Sequence, residues 1–169
     1  MTTIPMLPTA PHCSFWVDGI PKATPRIKAF RRGKFTKIMT PDTADDWKAL
    51  VAIAAKPHLP DTPIVGPVIC RITLVFPRPK RLCRKKDFHG MIPMDRKPDR
   101  DNCEKAILDM LTNIGMWRDD AQVFGGEVQK FYHAIGGRPG AQISIATVDL
   151  GALNRQNLPS ESTKENPDV

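Results

Sequence analysis

The most informative part of the chain is residues 97–123, which read KPDRDNCEKAILDMLTNIGMWRDDAQV. Apolar residues recur in it at helical spacing from about Asn102 to Ile114, and Gly115 is well placed to end the helix. One acidic pair opens the predicted helix and a second pair follows it. Carboxylates concentrated at the ends of one element repel one another unless a cation offsets their charge, which predicts a metal-binding role. The four carboxylates belong to Asp99, Asp101, Asp119 and Asp120.

The remaining elements follow on both sides of this helix. Strands are predicted from β-branched and alternating apolar residues at 14–20, 26–30, 34–39, 67–76, 123–134 and 141–149. The second and third of these form a basic hairpin around Arg31-Arg32-Gly33. A helix is predicted over 44–55. Strands and two helices without regular βαβ alternation predict a single compact α+β domain with a mixed or antiparallel sheet.

Helical spacing also predicts which residues are buried. In the first helix the apolar stripe consists of Trp47, Leu50, Val51 and Ala54, with Trp47 as a core anchor. In the second helix it consists of Cys103, Ile107, Met110, Leu111 and Ile114.

The chain has 169 residues, enough for one domain with a hydrophobic core. The predicted organisation is a flexible lead-in at 1–13, a domain at 14–150 and a polar, disordered tail at 151–169. Residues 77–98 are basic and interrupted by prolines, which predicts a long functional or mobile loop.

The formal net charge is +7, and the basic residues are clustered. Seven of them and no acidic residue lie between Pro21 and Pro41, and six more lie between Arg78 and Lys86. One such run is compatible with a solvated loop or a patch for anionic membranes. Two runs flanking an acidic motif favour a nucleic-acid partner. The residues expected to bind phosphates are Lys22, Arg26, Lys28, Arg31, Arg32, Lys34 and Lys97.

The four cysteines lack zinc-type spacing, so they are expected to be ordinary reduced thiols. The N-terminal residues do not resemble a signal peptide, and no apolar run approaches the ~20 residues that a membrane span requires. These features predict a cytoplasmic protein that does not enter a membrane.

Hydrolysis of a phosphodiester needs an activated water and stabilisation of charge on the attacking and leaving oxygens. Mg²⁺ suits this chemistry because it keeps water ligands and takes one or two protein carboxylates beside substrate phosphates. Lys105 lies four residues after Asp101 on the same helical face. There it could bind the scissile phosphate, orient the attacking water or balance the carboxylates.

Simpler structural roles stay open for individual residues. Asp101 could be a helix N-cap worth about 1 kcal/mol, and Lys105 could form a surface ion pair. Asp109 is expected to be a solvent-facing partner of Lys105. For Asp119 and Asp120 the sequence offers no such role, because carboxylates past a helix C-terminus meet the unfavourable end of the helix dipole.

The same stretch resembles the signature of the RusA-type Holliday junction resolvases, endonucleases of bacteria, phages and prophages. The shared pattern is (K/R)-P-D-x-D-N-x-x-K on a helix, followed by W-x-D-D-x-Q. The resemblance implies a dimeric enzyme that uses Mg²⁺, with Mn²⁺ as a substitute, to cut four-way junctions in DNA recombination and repair. It assigns metal binding to Asp99, Asp101 and Asp120, a secondary role to Asp119, and an essential catalytic role to Lys105. Cys103 departs from the family, which usually has leucine there.

The length of the helix bears on quaternary structure. A helix of about 13 residues is roughly 20 Å long, so Asp101 and Asp120 of one chain are expected near its opposite ends. The ions of a two-metal site are only about 4 Å apart. Either residues 115–120 fold back along the helix, or Asp120 reaches the aspartates of a second subunit. In an isologous homodimer with antiparallel helices, Asp120 of each subunit would reach the aspartates of the other subunit. The dimer would then hold two metal sites, each shared across subunits.

The sequence therefore predicts a Mg²⁺-dependent endodeoxyribonuclease that resolves Holliday junctions by paired symmetric nicks. Two alternatives stay open: a flap or fork nuclease with little junction selectivity, and a catalytically silent protein that binds branched DNA. A structural Ca²⁺ site is disfavoured, because the spacing is not that of an EF-hand and the basic runs would be unexplained.

Overall fold

The computed structural model describes residues 7–24, 28–32, 35–39 and 44–152. Within them lie eight strands and two α-helices. In chain order these are β1 (Thr9–Asp18), β2 (Lys28–Arg32), β3 (Phe35–Met39), α1 (Asp45–Ala55), β4 (Val68–Phe76), β5 (Ile92–Pro93), α2 (Arg100–Asn113), β6 (Val123–Gly125), β7 (Val128–Tyr132) and β8 (Gly140–Val148). Short 3-10 helices occupy Lys56–His58, Lys80–Leu82 and Asp120–Gln122.

Six of the strands form one mixed sheet in the order β1-β8-β4-β7-β5, with β6 also paired to β4. β8 runs antiparallel to β1 and β4, whereas β6 and β7 run parallel to β4. The hairpin of β2 and β3 forms a separate two-stranded sheet. This arrangement confirms the predicted α+β fold with a mixed sheet.

One hydrophobic core joins the sheet to both helices. Alternate residues of β4, from Val68 to Leu74, are buried in the same core as Trp47 of α1 and Ile107 of α2. Trp47 is 1% exposed, which confirms that it anchors the core. Because successive side chains of a strand point to opposite faces, the helices cover one face of β4. No helix in the described part of the chain is long and apolar enough to cross a membrane.

The predicted buried stripes are correct in part. In α2 the buried residues include Cys103, Ile107 and Leu111, whereas Met110 and Ile114 are only partly buried against the core. In α1 the prediction is wrong for Leu50, whose exposed fraction is 38%.

Gly115 ends α2 as predicted. Its φ is +84°, a left-handed conformation that glycine adopts without strain. The Gly115 amide donates to the Thr112 carbonyl at 3.1 Å, and the Met116 amide donates to the Leu111 carbonyl at 3.0 Å. These are the two hydrogen bonds of a Schellman motif, which satisfies carbonyls at the helix end.

The prediction of a flexible lead-in at 1–13 has to be corrected for residues 9–13. They belong to β1, which pairs with β8 from Thr9 opposite Val148 to Asp18 opposite Gly140. Pro11 favours a loop, but proline is tolerated here because β1 lies at the edge of the sheet. Residues 1–6 and 153–169, which include most of the predicted tail, lie outside the described residues.

Two predicted strand boundaries also change. Lys28 of β2 pairs with Met39 of β3, and Arg32 pairs with Phe35 at the other end of the hairpin. Arg31 and Arg32 therefore lie in a strand and not in the turn. The strand predicted over 123–134 is divided into β6 and β7 at Gly126, whose φ is +151°. A Cβ at Gly126 would lie 1.9 Å from the carbonyl oxygen of Cys70, so only glycine fits this approach to β4. The predicted loop 77–98 contains a 3-10 helix and β5, and it is a folded segment.

Candidate metal and DNA site at the two ends of helix α2

The first acidic pair lies at the N-terminal end of α2. Asp99 is the N-cap residue, and Asp101 is the second residue of the helix. Asp101 is thus not the N-cap, and its carboxylate lies exposed at the helix end that favours negative charge. Asp99 also lines a surface pocket with Ala23, Thr24, Lys97, Pro98 and Asn102.

Two other segments hold this helix end in place by hydrogen bonds to its backbone carbonyls. The Lys130 ammonium of β7 donates to the carbonyls of Arg96 and Pro98 at 2.6 and 2.8 Å. The Thr24 amide donates to the Asn102 carbonyl at 3.0 Å. Lys130 therefore fixes the segment that leads into Asp99. Sequence reasoning missed it, because nothing in the sequence distinguishes it from a solvent-facing lysine on a strand.

The second acidic pair lies in a different local structure from the one predicted. Asp119 is the N-cap of the 3-10 helix Asp120–Gln122, and its carboxylate accepts a hydrogen bond from the Ala121 amide at 2.8 Å. The predicted placement of both carboxylates at the unfavourable end of the α2 dipole is therefore wrong. They stand at the N-terminal end of a new turn, where negative charge is stabilised.

Gln122 completes this turn and ties it to the rest of the fold. Its side-chain oxygen accepts hydrogen bonds from the amides of Arg118 and Asp119 at 2.9 and 3.1 Å. Its side-chain nitrogen donates to the carbonyls of Ile64 and Gly66 at 3.0 and 2.9 Å. Asp119 and Gln122 form a capping box, and the D-x-x-Q spacing was a signal that sequence reasoning overlooked.

Trp117 anchors the same segment in the core. It is 1% exposed, and its indole N–H donates to the Thr112 hydroxyl of α2 at 2.7 Å. The segment between α2 and β6 is thereby held at both ends, which leaves Asp120 exposed on a fixed turn.

Lys105 lies between the two acidic ends of α2. Its ammonium is 3.7 Å from the Asp109 carboxylate, and the two side chains are 61% and 33% exposed. This ion pair confirms the predicted partnership of Lys105 and Asp109. Asp109 in turn lines a pocket with Thr112, Asp119 and Asp120, so this pocket lies at the C-terminal end of the helix.

A single chain does not bring the predicted ligands together. α2 has 14 residues and is therefore roughly 20 Å long. Asp99 and Asp101 lie at its start, and Asp120 lies in the turn beyond its end. Among the described residues, no group of three or more His, Cys, Asp or Glu side chains is placed to hold one metal ion.

The predicted phosphate-binding residues are only partly described. Lys22 forms an ion pair with Asp46 at 3.3 Å, and Lys97 is exposed beside Asp99. Lys28, Arg31 and Arg32 lie on β2 of the hairpin. Arg26 and Lys34 lie outside the described residues.

Cys103 is buried beneath the N-terminal acidic end of α2. Burial raises the pKa of its thiol to about 11; Lys130 acts in the opposite direction, and Asp101 and Asp99 add to the increase. The thiol is therefore protonated at neutral pH. Its full burial among the residues of the hydrophobic core fits a structural role.

Comparison with known proteins places these features in a family. The sequence model of the family Endodeoxyribonuclease RusA matches residues 18–146. The uncharacterized protein YqaN of Bacillus subtilis (strain 168) is 32% identical over 123 residues, which cover 70% of this chain and 86% of YqaN.

Two named relatives match over a shorter stretch. The crossover junction endodeoxyribonuclease RusA of Escherichia coli (strain K12) is 47% identical over 47 residues, which cover 28% of this chain and 39% of that protein. The protein of the same name from Enterobacteria phage 82 gives the same identity and coverage. Because the family match spans residues 18–146, from the end of β1 to β8, the chain belongs to the Endodeoxyribonuclease RusA family.

Proposed function

We propose that the protein is a divalent-metal-dependent endonuclease that resolves four-way DNA junctions by paired symmetric nicks, in DNA recombination and repair. The observation that carries the proposal is α2 itself. In a chain of this family, exposed carboxylates lie at the N-terminal end of α2 and in the turn that follows it, and Lys105 lies on the helix between them. The relatives named as crossover junction endodeoxyribonucleases match this chain over 39% of their length, which supports the same activity here.

The donor chemistry of the site fits Mg²⁺. Asp99, Asp101 and Asp120 offer exposed, hard oxygen donors of the type that Mg²⁺ takes beside water and phosphate oxygens. Mn²⁺ could use the same ligands. When bound, the ion would lower the pKa of a water and offset charge on the phosphate. Asp119 has a secondary place, because its carboxylate already accepts the Ala121 amide.

The chain's own side chains would do the remaining work. Lys105 lies one helical turn from both Asp101 and Asp109, so its ammonium can move from the Asp109 carboxylate to a phosphate that enters the site. Lys97 stands beside Asp99 and can hold the adjacent phosphate. Lys22 and the basic hairpin would extend this contact along the DNA backbone. Contacts to phosphates do not depend on the DNA sequence, and they release counterions from the DNA. The affinity for DNA should therefore fall steeply as the salt concentration is raised.

The separation of the acidic ends suggests how the site is completed. Two copies that pack with α2 antiparallel would set Asp99 and Asp101 of one subunit beside Asp120 of the partner subunit, and the two-fold axis would repeat the arrangement. We therefore propose a homodimer with two shared metal sites. Two symmetric sites would suit a junction that is cut at two symmetric positions.

Cleavage of a synthetic mobile four-way junction tests the proposed function. Wild-type protein should give paired symmetric nicks with Mg²⁺ or Mn²⁺, and Asp101→Asn should bind the junction without cutting it. Asp61→Asn, which changes an exposed carboxylate that belongs neither to α2 nor to the turn that carries Asp120, is the matched control and should cut normally.

Two outcomes would contradict the proposal. Equal cleavage of flaps and junctions would indicate a flap or fork nuclease. Tight binding by wild type without cleavage in either metal would indicate a silent branched-DNA-binding protein.

A further inference from the structure

We propose that residues 78–90, here called the Arg78 loop, form a preshaped DNA-contact element in which Phe88 stacks on a base exposed at the branch point. The inference rests on the proposed function and extends it, because it assigns the recognition of branched DNA to a particular side chain. It concerns a basic segment whose role the acidic site does not explain.

A buried arginine shapes the loop from within. The Arg78 side chain is 6% exposed, although arginine is rarely buried without partners. Its Nε donates to the Leu82 carbonyl at 2.9 Å, and its two terminal nitrogens donate to the carbonyls of Gly90 and Phe88. One guanidinium therefore ties both arms of the loop together. Arg78 is used for structure, and it is not available to DNA.

Further contacts fix the far side of the loop. The Asp87 carboxylate accepts hydrogen bonds from the amide and the guanidinium of Arg84 at 2.8 and 3.3 Å. The hydrogen bond from the Arg84 amide is the main cause of a lowered pKa for Asp87. The Ile135 amide donates to the His89 carbonyl at 2.9 Å, which joins the loop to the segment after β7. Together with those of Arg78, these contacts connect the loop internally and to the segment after β7.

Phe88 is displayed on this fixed loop. Its side chain is 70% exposed, which leaves a large apolar surface in water. The ring lies against Gly90, where an added Cβ would be 2.6 Å from the Phe88 Cε1 atom. Glycine at 90 therefore gives the ring a platform while its outer face stays open. An aromatic ring that is ordered and exposed can stack on an unpaired base at little entropic cost.

The positive charge around Phe88 favours a polyanionic partner. Five exposed basic residues share the loop with a single acidic residue, Asp87. A second copy of the protein would bring the same positive charge, so self-association through this loop is opposed. A polyanion is attracted, and DNA also offers stacked and unstacked bases. The exposed basic residues are Lys80, Arg81, Arg84, Lys85 and Lys86.

The loop is connected to the acidic site through β7. Ile92, just after the loop, pairs with Tyr132 of β7, and the Met94 amide donates to the Lys130 carbonyl at 2.9 Å. The Lys130 side chain then holds the segment that precedes Asp99. Strand β7 thus contacts both the segment after the loop and the segment before Asp99, which connects the loop to the acidic helix end through one strand.

The test compares Phe88→Ala with wild type in binding to an immobile four-way junction and to a linear duplex of matched sequence, in EDTA to prevent cleavage. Loss of one base–aromatic stack should lower the ratio of junction to duplex affinity by about tenfold, with duplex affinity unchanged. Phe88→Trp should restore the ratio. Phe124→Ala, which removes another exposed phenylalanine on β6, is the matched control and should leave the ratio unchanged.

A second pair of substitutions separates stacking from charge. Lys85→Ala combined with Lys86→Ala should weaken junction and duplex binding alike and reduce the salt dependence by about one or two ion equivalents. A 2-aminopurine placed at the branch point should change fluorescence when wild type binds and should not when Phe88→Ala binds.

The results of these experiments distinguish failure of the role proposed for Phe88 from failure of the proposed function. A wild-type preference for the junction that survives in Phe88→Ala would overturn the role of Phe88 and leave the proposed function intact. A wild type without any junction preference would overturn both. A change in oligomeric state of Phe88→Ala, measured by light scattering, with unchanged DNA binding would assign Phe88 to a protein contact and also overturn the inference.

Discussion

Asp119 and Asp120 are neighbours in sequence with different surroundings, and this difference gives a test at the scale of single residues. The Asp119 carboxylate caps a turn, whereas Asp120 is exposed within it. We expect Asp120→Asn to reduce junction cleavage by roughly a hundredfold or more, because it removes a charge proposed to act on the metal. Asp119→Asn keeps an oxygen acceptor and should retain cleavage. Asp119→Ala should lower the free energy of unfolding by about 1 kcal/mol.

Cleavage assays and urea unfolding of the three variants would distinguish these roles. Equal loss of cleavage in Asp119→Asn and Asp120→Asn, with unchanged stability, would mean that both carboxylates act directly on the metal.

The cysteines give a second prediction for single residues. Burial raises the pKa of Cys70 to about 12 and that of Cys103 to about 11. At pH 8 a thiol reagent should label exposed Cys83 rapidly and half-buried Cys13 slowly. Cys70 and Cys103 should react only when the protein unfolds. Mass spectrometry of the labelled protein would check the order, and rapid labelling of Cys103 would contradict the packing of α2.

The raised pKa values of Cys70 and Cys103 also determine how the stability of the protein changes with pH. The folded state binds these thiol protons more tightly than the unfolded state, whose cysteines ionise near pH 8.5. The contribution of the two buried thiols to the free energy of unfolding is therefore complete below about pH 8.5 and is lost as the pH rises through their folded pKa values. Replacing Cys103 by alanine should reduce this alkaline loss of stability, measured by urea unfolding at pH 8 and pH 10.

Among the elements, the 3-10 helix that carries Asp120 depends on Gln122. Gln122→Ala removes hydrogen bonds to four backbone groups and should lower the free energy of unfolding by about 1–3 kcal/mol. Cleavage should also fall, because Asp120 loses its fixed position. Gln129→Ala is the matched control, since Gln129 is exposed and bonds only to the Glu127 side chain among the described contacts. Equal stability of the two variants would show that the turn does not need this anchor.

Elements with strong local signals were predictable from the sequence. The boundaries of α2 were found to within two residues, because its apolar spacing and Gly115 act locally. The division of the last strands at Gly126 was missed, because its cause is contact with the Cys70 carbonyl of another strand. Lys130, Gln122 and Arg78 were missed for the same reason: each acts on backbone carbonyls that only the folded chain brings within reach.

The whole molecule raises the question of how the two ends of α2 cooperate. The predicted carboxylates are present and exposed, yet Asp99 and Asp101 lie at the start of α2, whereas Asp120 shares a pocket with Asp109 and Thr112 toward the end of the helix. A shared site would make cleavage depend on the dimer and would couple the two nicks to a two-fold axis.

The most direct test of this account is cleavage by a mixed dimer of Asp101→Asn and Asp120→Asn subunits, co-expressed with different tags and purified through both. If each site takes Asp99 and Asp101 from one subunit and Asp120 from the other, the mixed dimer holds one intact site and one doubly altered site. We therefore expect single nicks on the four-way junction, whereas either variant alone is inactive. Absence of nicking by the mixed dimer, with junction binding retained, would contradict a shared site, because sites within one chain would both be damaged.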